Sequence, residues 1–282
     1  SPIYLNKIPS YEEAKKIMIE KDIEFIPILF DKKVKYLFTL KEINSLSPYK
    51  NTSVLIMAGG LGSRLNELTK NNPKPLMLVN GKPILEHIIL NLKSQGFSDF
   101  HISINYLAKK IKSYFKDGSS LGVNINYLEE EEPLGTGGSL SLLNSKNYGE
   151  NLIVMNGDLI TNFDFRNLVQ EFKKTSSDLL VCVANYQHQI PFGVIEKRGK
   201  KIKSVNEKPV LNFLINAGIY MLSKKVIKNV KKERIDMTDI IYNEIKRGSV
   251  LETFKINEYW IDIGNKNDLS RANKDISKKN AN

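Results

Sequence analysis

The residues best equipped for chemistry lie in one stretch, VLIMAGGLGSRLNELTKNNPKPLMLVNGKPILEHII, from Val54 to Ile89. An apolar run gives way at Ala58 to Gly59, Gly60 and Gly62. Arg64 follows, and Lys74 stands between Pro73 and Pro75. Glycines let backbone N–H groups come close to an anion. Arg64 offers a planar fork matched to phosphate oxygens. The prolines restrict the backbone on both sides of Lys74, so its charge is held in place. A glycine turn with two placed cations suits a triphosphate. The pattern lacks the Gly-Lys-Ser/Thr ending of a Walker A loop. Leu65 stands where a dinucleotide fingerprint wants its third glycine. The glycines alone would fit any tight strand-to-helix turn, and each cation alone could be an ordinary surface charge. Their combination carries the reading.

Two carboxylates come next. Asp158 closes the apolar strand of NLIVMNGD, and Asp262 lies in WIDIG beside Trp260. Such a pair, with phosphate oxygens, makes a suitable Mg²⁺ site, although an Asp alone is more often a turn or capping residue. The segment YLEEEEPLGTGG carries four glutamates, Glu129 to Glu132. Guanine presents two adjacent donors, its ring N–H and its amino group, and one carboxylate accepts both. Adenine and cytosine set a donor beside a bare acceptor, and uracil surrounds one N–H with carbonyls. The run therefore favours GTP, with a reader among the four; it also fits a solvated acidic loop. His87, His101 and His188 stand in no catalytic-looking setting. Cys182, the single cysteine, lies in the apolar run DLLVCVAN and reads as a core residue.

The elements that must position these groups follow from periodicity. Strand-like runs are SVLIMA, DFHISIN, NINYLEE, NLIVMN, DLLVCVAN and FLINAGIYML, with helical patterns such as PILEHIILNLKSQG and FRNLVQEFKKT between several of them. The alternation predicts an α/β domain over residues 54–275, with a doubly wound, mostly parallel, Rossmann-like sheet. Ligands of such sheets sit at the carboxyl ends of strands, where the glycine loop and Asp158 fall. Residues 1–48 read differently. YEEAKKIMIEKD predicts a helix with Ser10 as N-cap; FIPILF and KYLFTL predict strands around the turn DKK; KEINSL begins another helix. Residues 49–53 belong to the polar linker SPYKNTS, and 276–282 form a polar tail expected to fray.

AGGLGSRLNELTKNNPKPL resembles the signature of the sugar-1-phosphate nucleotidylyltransferases. Its spacer between Arg64 and Lys74 is longer than is usual in the cytidylyltransferases of isoprenoid synthesis or the molybdopterin guanylyltransferases. Further segments match in order over Ser53 to Asn273. The resemblance implies nucleotide contacts at Ala58, Gly59, Gly60, Gly62, Glu130, Glu131, Pro133, Gly135 and Thr136. It implies sugar contacts at Gly193 of PFGVIE, Glu207 of NEKP and Asn216 of INAGIY, a sugar-phosphate contact at Lys208, and metal ligands at Asp158 and Asp262. The implied reaction is attack of a sugar phosphate oxygen on the α-phosphorus of a nucleoside triphosphate, with Mg²⁺ and departure of pyrophosphate. Arg64 and Lys74 would be the catalytic cations. No general base is required, because the nucleophile is already ionised. Residues 8–43 are similar to one cystathionine-β-synthase (CBS) motif, half of the usual pair. A CBS-linked nucleotidylyltransferase resembles the guanylyltransferases of legionaminic acid synthesis, which implies glucosamine 1-phosphate as the sugar. A uridylyl- or thymidylyltransferase on another hexose is the alternative.

The bulk composition is compatible with this. The chain has 282 residues, 41% of them apolar, which is enough for a large core. It contains no apolar run of about 18 residues and no secretory leader pattern, so a cytoplasmic enzyme without membrane contact is expected. The net charge of +11 comes mainly from scattered lysines. A polyanionic small substrate would benefit from that field, whereas no basic stripe interleaved with aromatics points to nucleic acid. The composition permits a homo-oligomer. A metal-dependent glycosyltransferase could use the NGD carboxylate but has no use for GGLGSR followed by PKP. A CBS-type ligand sensor would not need the intact charged set.

Overall fold

The computed structural model describes residues 3–39, 47, 49, 51–60, 62, 65, 68–144 and 148–280. Ser10 opens the first helix, α1 (Tyr11–Lys21), and its Oγ accepts the Glu13 N–H at 3.3 Å, as its N-cap role requires. Strands β1 (Phe25–Phe30) and β2 (Lys33–Thr39) pair antiparallel around Asp31 and Lys32, both with positive φ. Ala14, Met18, Ile26, Ile28 and Phe38 bury a small core between helix and hairpin. The unit rests on the larger domain where Ser47 Oγ donates to the Gly96 carbonyl at 2.6 Å and Lys15 Nζ donates to that of Ser94. The helix expected at KEINSL lies outside the described residues.

Downstream come β3 (Thr52–Met57), the short hairpin β4 (Leu78–Val79) and β5 (Lys82–Pro83), α2 (Ile84–Ser94), β6 (Asp99–Ile104), α3 (Ala108–Phe115), β7 (Asn124–Glu129), the single turn α4 (Gly135–Gly138), β8 (Asn151–Asn156), β9 (Leu159–Thr161) and α5 (Phe165–Thr175). The second half runs through β10 (Leu179–Gln189), β11 (Val194–Arg198), β12 (Lys201–Asn206), β13 (Val210–Ser223), α6 (Lys224–Lys228), α7 (Met237–Lys246), β14 (Leu251–Lys255), β15 (Trp260–Asp262) and α8 (Lys266–Asn280). Seven strands form one sheet in the order β14-β10-β13-β8-β3-β6-β7. The pairs β3–β6, β3–β8, β6–β7 and β10–β14 are parallel; β13 runs antiparallel to both β8 and β10. The sheet is thus mixed and mostly parallel.

Successive strand residues point to opposite faces, and that alternation makes two cores. Val54, Ile56, Phe100, Ile102, Ile153 and Met155 face the core shared with α2, α3, α5 and α8. Leu55, Leu152, Val154, Tyr220 and Leu222 face the other, with α6 and α7. Helices on both faces fit the doubly wound expectation; the reversed β13 departs from it, because apolar pattern carries no strand direction.

Two expected boundaries shift. Thr52, placed in the linker, is a buried residue of β3, which starts one residue before the strand-like run SVLIMA. The tail expected from residue 276 continues helix α8 to Asn280, with Ile276 packed on the core. Leu269, Ala272 and Ile276, spaced by three and four, form the helix's apolar stripe.

Beyond Ala184 and before Asn216, β10 and β13 leave the core and continue as an exposed two-stranded arm, with β11 and β12 as a second hairpin between them. At the root of the arm the register slips, so that Ala217, Gly218 and Ile219 all lie opposite Cys182. This is a bulge of the kind that re-aims side chains beside active sites.

Candidate active site

The glycine turn begins where β3 ends. The Ala58 N–H donates to the Ser103 carbonyl at 2.9 Å, extending the ladder one residue past the strand. Gly62 has φ +63, and a Cβ there would stand 3.0 Å from Thr69 Cγ2 and 3.2 Å from Lys74 Cβ. Only glycine fits that turn while the lysine segment packs behind it. Thr69 Oγ1 donates back to the Gly62 carbonyl at 3.1 Å. Gly60 has open space around it. Arg64 lies outside the described residues.

Lys74 starts a 3₁₀ turn, Lys74–Leu76, that the flanking prolines pre-set. It is 8% exposed, unusual for a lysine. Its Nζ donates to Asp158 Oδ2 and stands 4.0 Å from Asp262 Oδ1. The two carboxylates come together through β9 and β15, which pair antiparallel with Asp262 opposite Leu159. The Ile263 N–H donates to the Asp158 carbonyl at 3.0 Å and locks the pairing. The resulting hollow, about 190 Å³, is lined by Ala58, Gly60, Gly62, Lys74, Asp158 and Gly264 among others. A larger cavity of about 520 Å³ lies elsewhere, among α2, β9, α8 and Tyr259, and holds none of these groups.

Asp158 and Asp262 are the residues here that could hold a divalent cation. Asp158 Oδ1 is buried without a hydrogen-bond partner, a donor atom waiting for a cation. No cluster of three or more His, Cys, Asp or Glu able to hold a metal occurs among the described residues. A carboxylate pair that leaves positions for phosphate oxygens and water is the arrangement Mg²⁺ prefers.

The four glutamates separate sharply. Glu129 pairs with Lys112 at the surface, Glu131 is 88% exposed and 3.8 Å from Lys232, and Glu132 is exposed. Glu130 turns inward. Its Oε1 accepts from the buried Ser103 hydroxyl and its Oε2 from the Leu134 N–H at 2.9 Å. Asn105 Nδ2 donates to its carbonyl at 2.7 Å. A methyl on Gly59 would stand 2.9 Å from Oε1, so this carboxylate borders the glycine turn. Pro133 is exposed beside it. Ser103 on β6 and Asn105 just past its end carry no sequence signal until the fold sets Glu130 above them.

Gly135 and Thr136 are clasped by the start of α7. Asp236 Oδ1 accepts from the Thr136 N–H at 2.8 Å and from its hydroxyl at 3.0 Å, and that hydroxyl accepts the Met237 N–H at 3.0 Å. Asp236 and Asp239 form a capping box on the same helix. A Cβ on Gly135 would lie 2.7 Å from the Ile235 carbonyl. The IDMTD spacing could have revealed the cap, not its hold on Thr136.

The expected sugar residues gather along the arm. Gly193 adjoins Glu207, whose Oε2 would lie 2.8 Å from a Cβ at Gly193. Lys208 has φ +48, and its N–H donates to the Phe192 carbonyl at 3.3 Å. All three are exposed, and no hydrogen bond or ion pair joins Glu207 or Lys208 to Lys74 or Asp158 among the described residues. Asn216 sits at the bulge, donating to Tyr220 Oη at 2.7 Å and accepting the Gly218 N–H at 3.0 Å. Burial pushes the Tyr220 hydroxyl up to about 12, so it stays protonated and accepts through a lone pair. Trp260 Nε1 donates to the Ala217 carbonyl at 2.9 Å, which ties the bulge to the strand carrying Asp262. The histidines stay out: His101 is buried in β6, His87 bonds the Val79 carbonyl at 2.7 Å, and His188 lies on the arm.

The chain resembles known proteins over most of its length. Residues 53–279 match the Nucleotidyl transferase family. A protein of rice (Oryza sativa subsp. japonica) named probable mannose-1-phosphate guanylyltransferase 1 is 32% identical over 76% of this chain and 62% of its own length. The bifunctional protein GlmU of Methanocaldococcus jannaschii is 35% identical over 78% of this chain and 53% of its own. The chain therefore spans between half and two-thirds of these relatives. The structure of HddC from Yersinia pseudotuberculosis complexed with GMP-PN superposes with a TM-score of 0.64 at 27% identity, covering 79% of this chain and 99% of that one. No helix among the described residues is long and apolar enough to cross a membrane. By its sequence and its fold, the chain belongs to the nucleotidyl transferase family.

Proposed function

We propose that the chain transfers a nucleoside monophosphate, GMP by preference, from a nucleoside triphosphate to a sugar 1-phosphate and releases pyrophosphate. The observation that carries the reading is the meeting of the glycine turn, Lys74 and the Asp158–Asp262 pair at the carboxyl ends of β3 and β8. Both reactants are anions, so the task is alignment and relief of repulsion. Backbone N–H groups of Gly59, Gly60 and Gly62 would hold phosphate oxygens, and Lys74 would hold them by charge. Arg64 would stabilise the leaving pyrophosphate. Lys208 would bind the sugar phosphate, with Gly193, Glu207 and Asn216 on the sugar. Asp158 and Asp262 would hold Mg²⁺, which supplies positive charge beside the α-phosphate when bound.

Base preference rests on Glu130. It alone of the four glutamates faces the glycine turn, and each of its oxygens keeps a lone pair for the paired donors of guanine. The guanylyltransferase name of the rice relative and the GMP-PN bound to HddC support the same base. For the sugar we favour glucosamine 1-phosphate, on the resemblance of residues 1–48 to half of a CBS pair. That segment would act as a docking element at the Gly96 corner.

The test is pyrophosphate release with Mg²⁺ over a grid of GTP, UTP, dTTP, CTP and ATP against glucosamine-, N-acetylglucosamine-, glucose- and mannose-1-phosphate. Release with GTP and glucosamine 1-phosphate is expected. Release with UTP or dTTP alone would keep the reaction and refute the role of Glu130. Release with GTP and mannose 1-phosphate alone would refute the sugar.

A further inference from the structure

Lys74 stands where a cation is wanted. Its Nζ donates to Asp158 Oδ2 and lies 4.0 Å from Asp262 Oδ1. Its side chain is 10% exposed, against 20% for Asp158. Two carboxylates held this close repel each other unless a positive charge lies between them. Here the ammonium supplies that charge. Yet an ammonium and a divalent cation cannot share the place, because like charges in contact repel strongly where water is scarce. A lysine bound to the carboxylates is also turned away from the phosphates it is expected to hold.

We propose that Lys74 is the internal counter-ion of the Asp158–Asp262 pair, occupying the divalent cation's place until the phosphates of the nucleotide draw its ammonium away. The inference rests on the metal-site reading above. The geometry provides the means. The lysine backbone is fixed by Pro73 and Pro75 and by Gly62 packed against its Cβ, so the movement belongs to the four-carbon side chain. The hollow lined by Lys74 and Asp158 is also lined by the glycine turn, so the ammonium reaches phosphate without leaving its cavity. Asp158 Oδ1, buried without a hydrogen-bond partner, is not consumed by the lysine. Metal alone must expel a bonded ammonium and binds weakly. Nucleotide offers that ammonium a new partner and frees both carboxylates. Metal and nucleotide therefore strengthen each other's binding by equal factors.

The test measures Mn²⁺ binding by the full chain without nucleotide, from the electron paramagnetic resonance signal of free Mn²⁺. Lys74→Met is expected to bind Mn²⁺ at least about tenfold more tightly than the wild type, the factor that about 1.4 kcal/mol represents. At a fixed Mn²⁺ concentration its melting temperature should rise more than that of the wild type. Equal Mn²⁺ affinity in the two proteins would overturn the proposal. A second measurement needs no variant: reductive methylation read by mass spectrometry should find Lys74 protected in the free protein and more reactive at saturating Mn²⁺. Unchanged reactivity would overturn it as well. Adding Asp158→Asn to Lys74→Met separates the two readings. Loss of the tight Mn²⁺ binding is expected; binding that survives puts the metal elsewhere and removes the reading beneath the proposal.

Discussion

The hollow around the buried Lys74 is tied together across the chain, whereas the residues proposed for the sugar lie mostly in exposed loops beside β11 and β12. Lys74 meets a carboxylate 84 residues away, and Ile263 meets Asp158 through the backbone. Gly193, Glu207 and Lys208 are exposed, on or beside a hairpin whose residues are nearly all exposed. Two long strands of the sheet show a similar change along their length: β10 is buried through Ala184 and β13 from Ala217, and both are open beyond. Charges that act on a transition state are most effective when pre-set away from water. The proposed sugar substrate would have to enter and leave, and strands with few buried contacts open at low cost. The hollow is thus the rigid end of the domain and the arm its yielding end.

The contrast can be broken most severely at the rigid end. Asp158→Asn should lower turnover by about a thousandfold with the fold retained, seen as lost pyrophosphate release beside an unchanged circular dichroism spectrum. A loss under tenfold would mean the carboxylate pair does not hold the catalytic cation. On the arm, Lys208→Ala should raise KM for the sugar phosphate by about ten- to a hundredfold, the worth of a charge-assisted hydrogen bond. KM for the triphosphate should stay unchanged; a rise in both would merge the two regions. Glu130→Gln should cut the preference for GTP over UTP by about tenfold, since one acceptor of a paired set is replaced by a donor. Unaltered selectivity in competition assays would move base reading away from Glu130. The smallest effect tests stability alone. Phe192→Ala, at a side chain 73% exposed, should change unfolding free energy by no more than about 0.5 kcal/mol. Phe100→Ala, in the core of β6, should cost about 3–5 kcal/mol in the same denaturant titration.

The rigid end was also the more legible in sequence. NLIVMN matches β8 residue for residue, and FRNLVQEFKKT matches α5, where Asp164 caps the start and Ser176 turns left-handed at the end. Strong burial writes itself into local pattern. The hairpin of β11 and β12 was not read as strands, because nearly every residue in it faces water and no alternation results. FLINAGIYML predicts a strand over 213–222, but β13 runs from Val210 to Ser223, its first two residues, Val210 and Leu211, being apolar yet exposed. Its reversed direction left no mark either. At the site, the identities of Lys74, Asp158 and Asp262 could be read from motif and spacing. That the lysine bonds the carboxylates, that Glu130 alone turns inward, and that Asp236 holds Thr136 are partnerships between distant segments, which exist only after folding.

Cys182 lies fully buried at the root of the arm, opposite the bulge, and burial pushes its thiol well above the usual range. It will form little thiolate and react slowly with alkylating probes. The chain is therefore already suited to single-site labelling. Ser204→Cys on exposed β12 would provide a selectively reactive thiol, and a spin label or dye there would report arm motion as ligands bind, with the native cysteine silent.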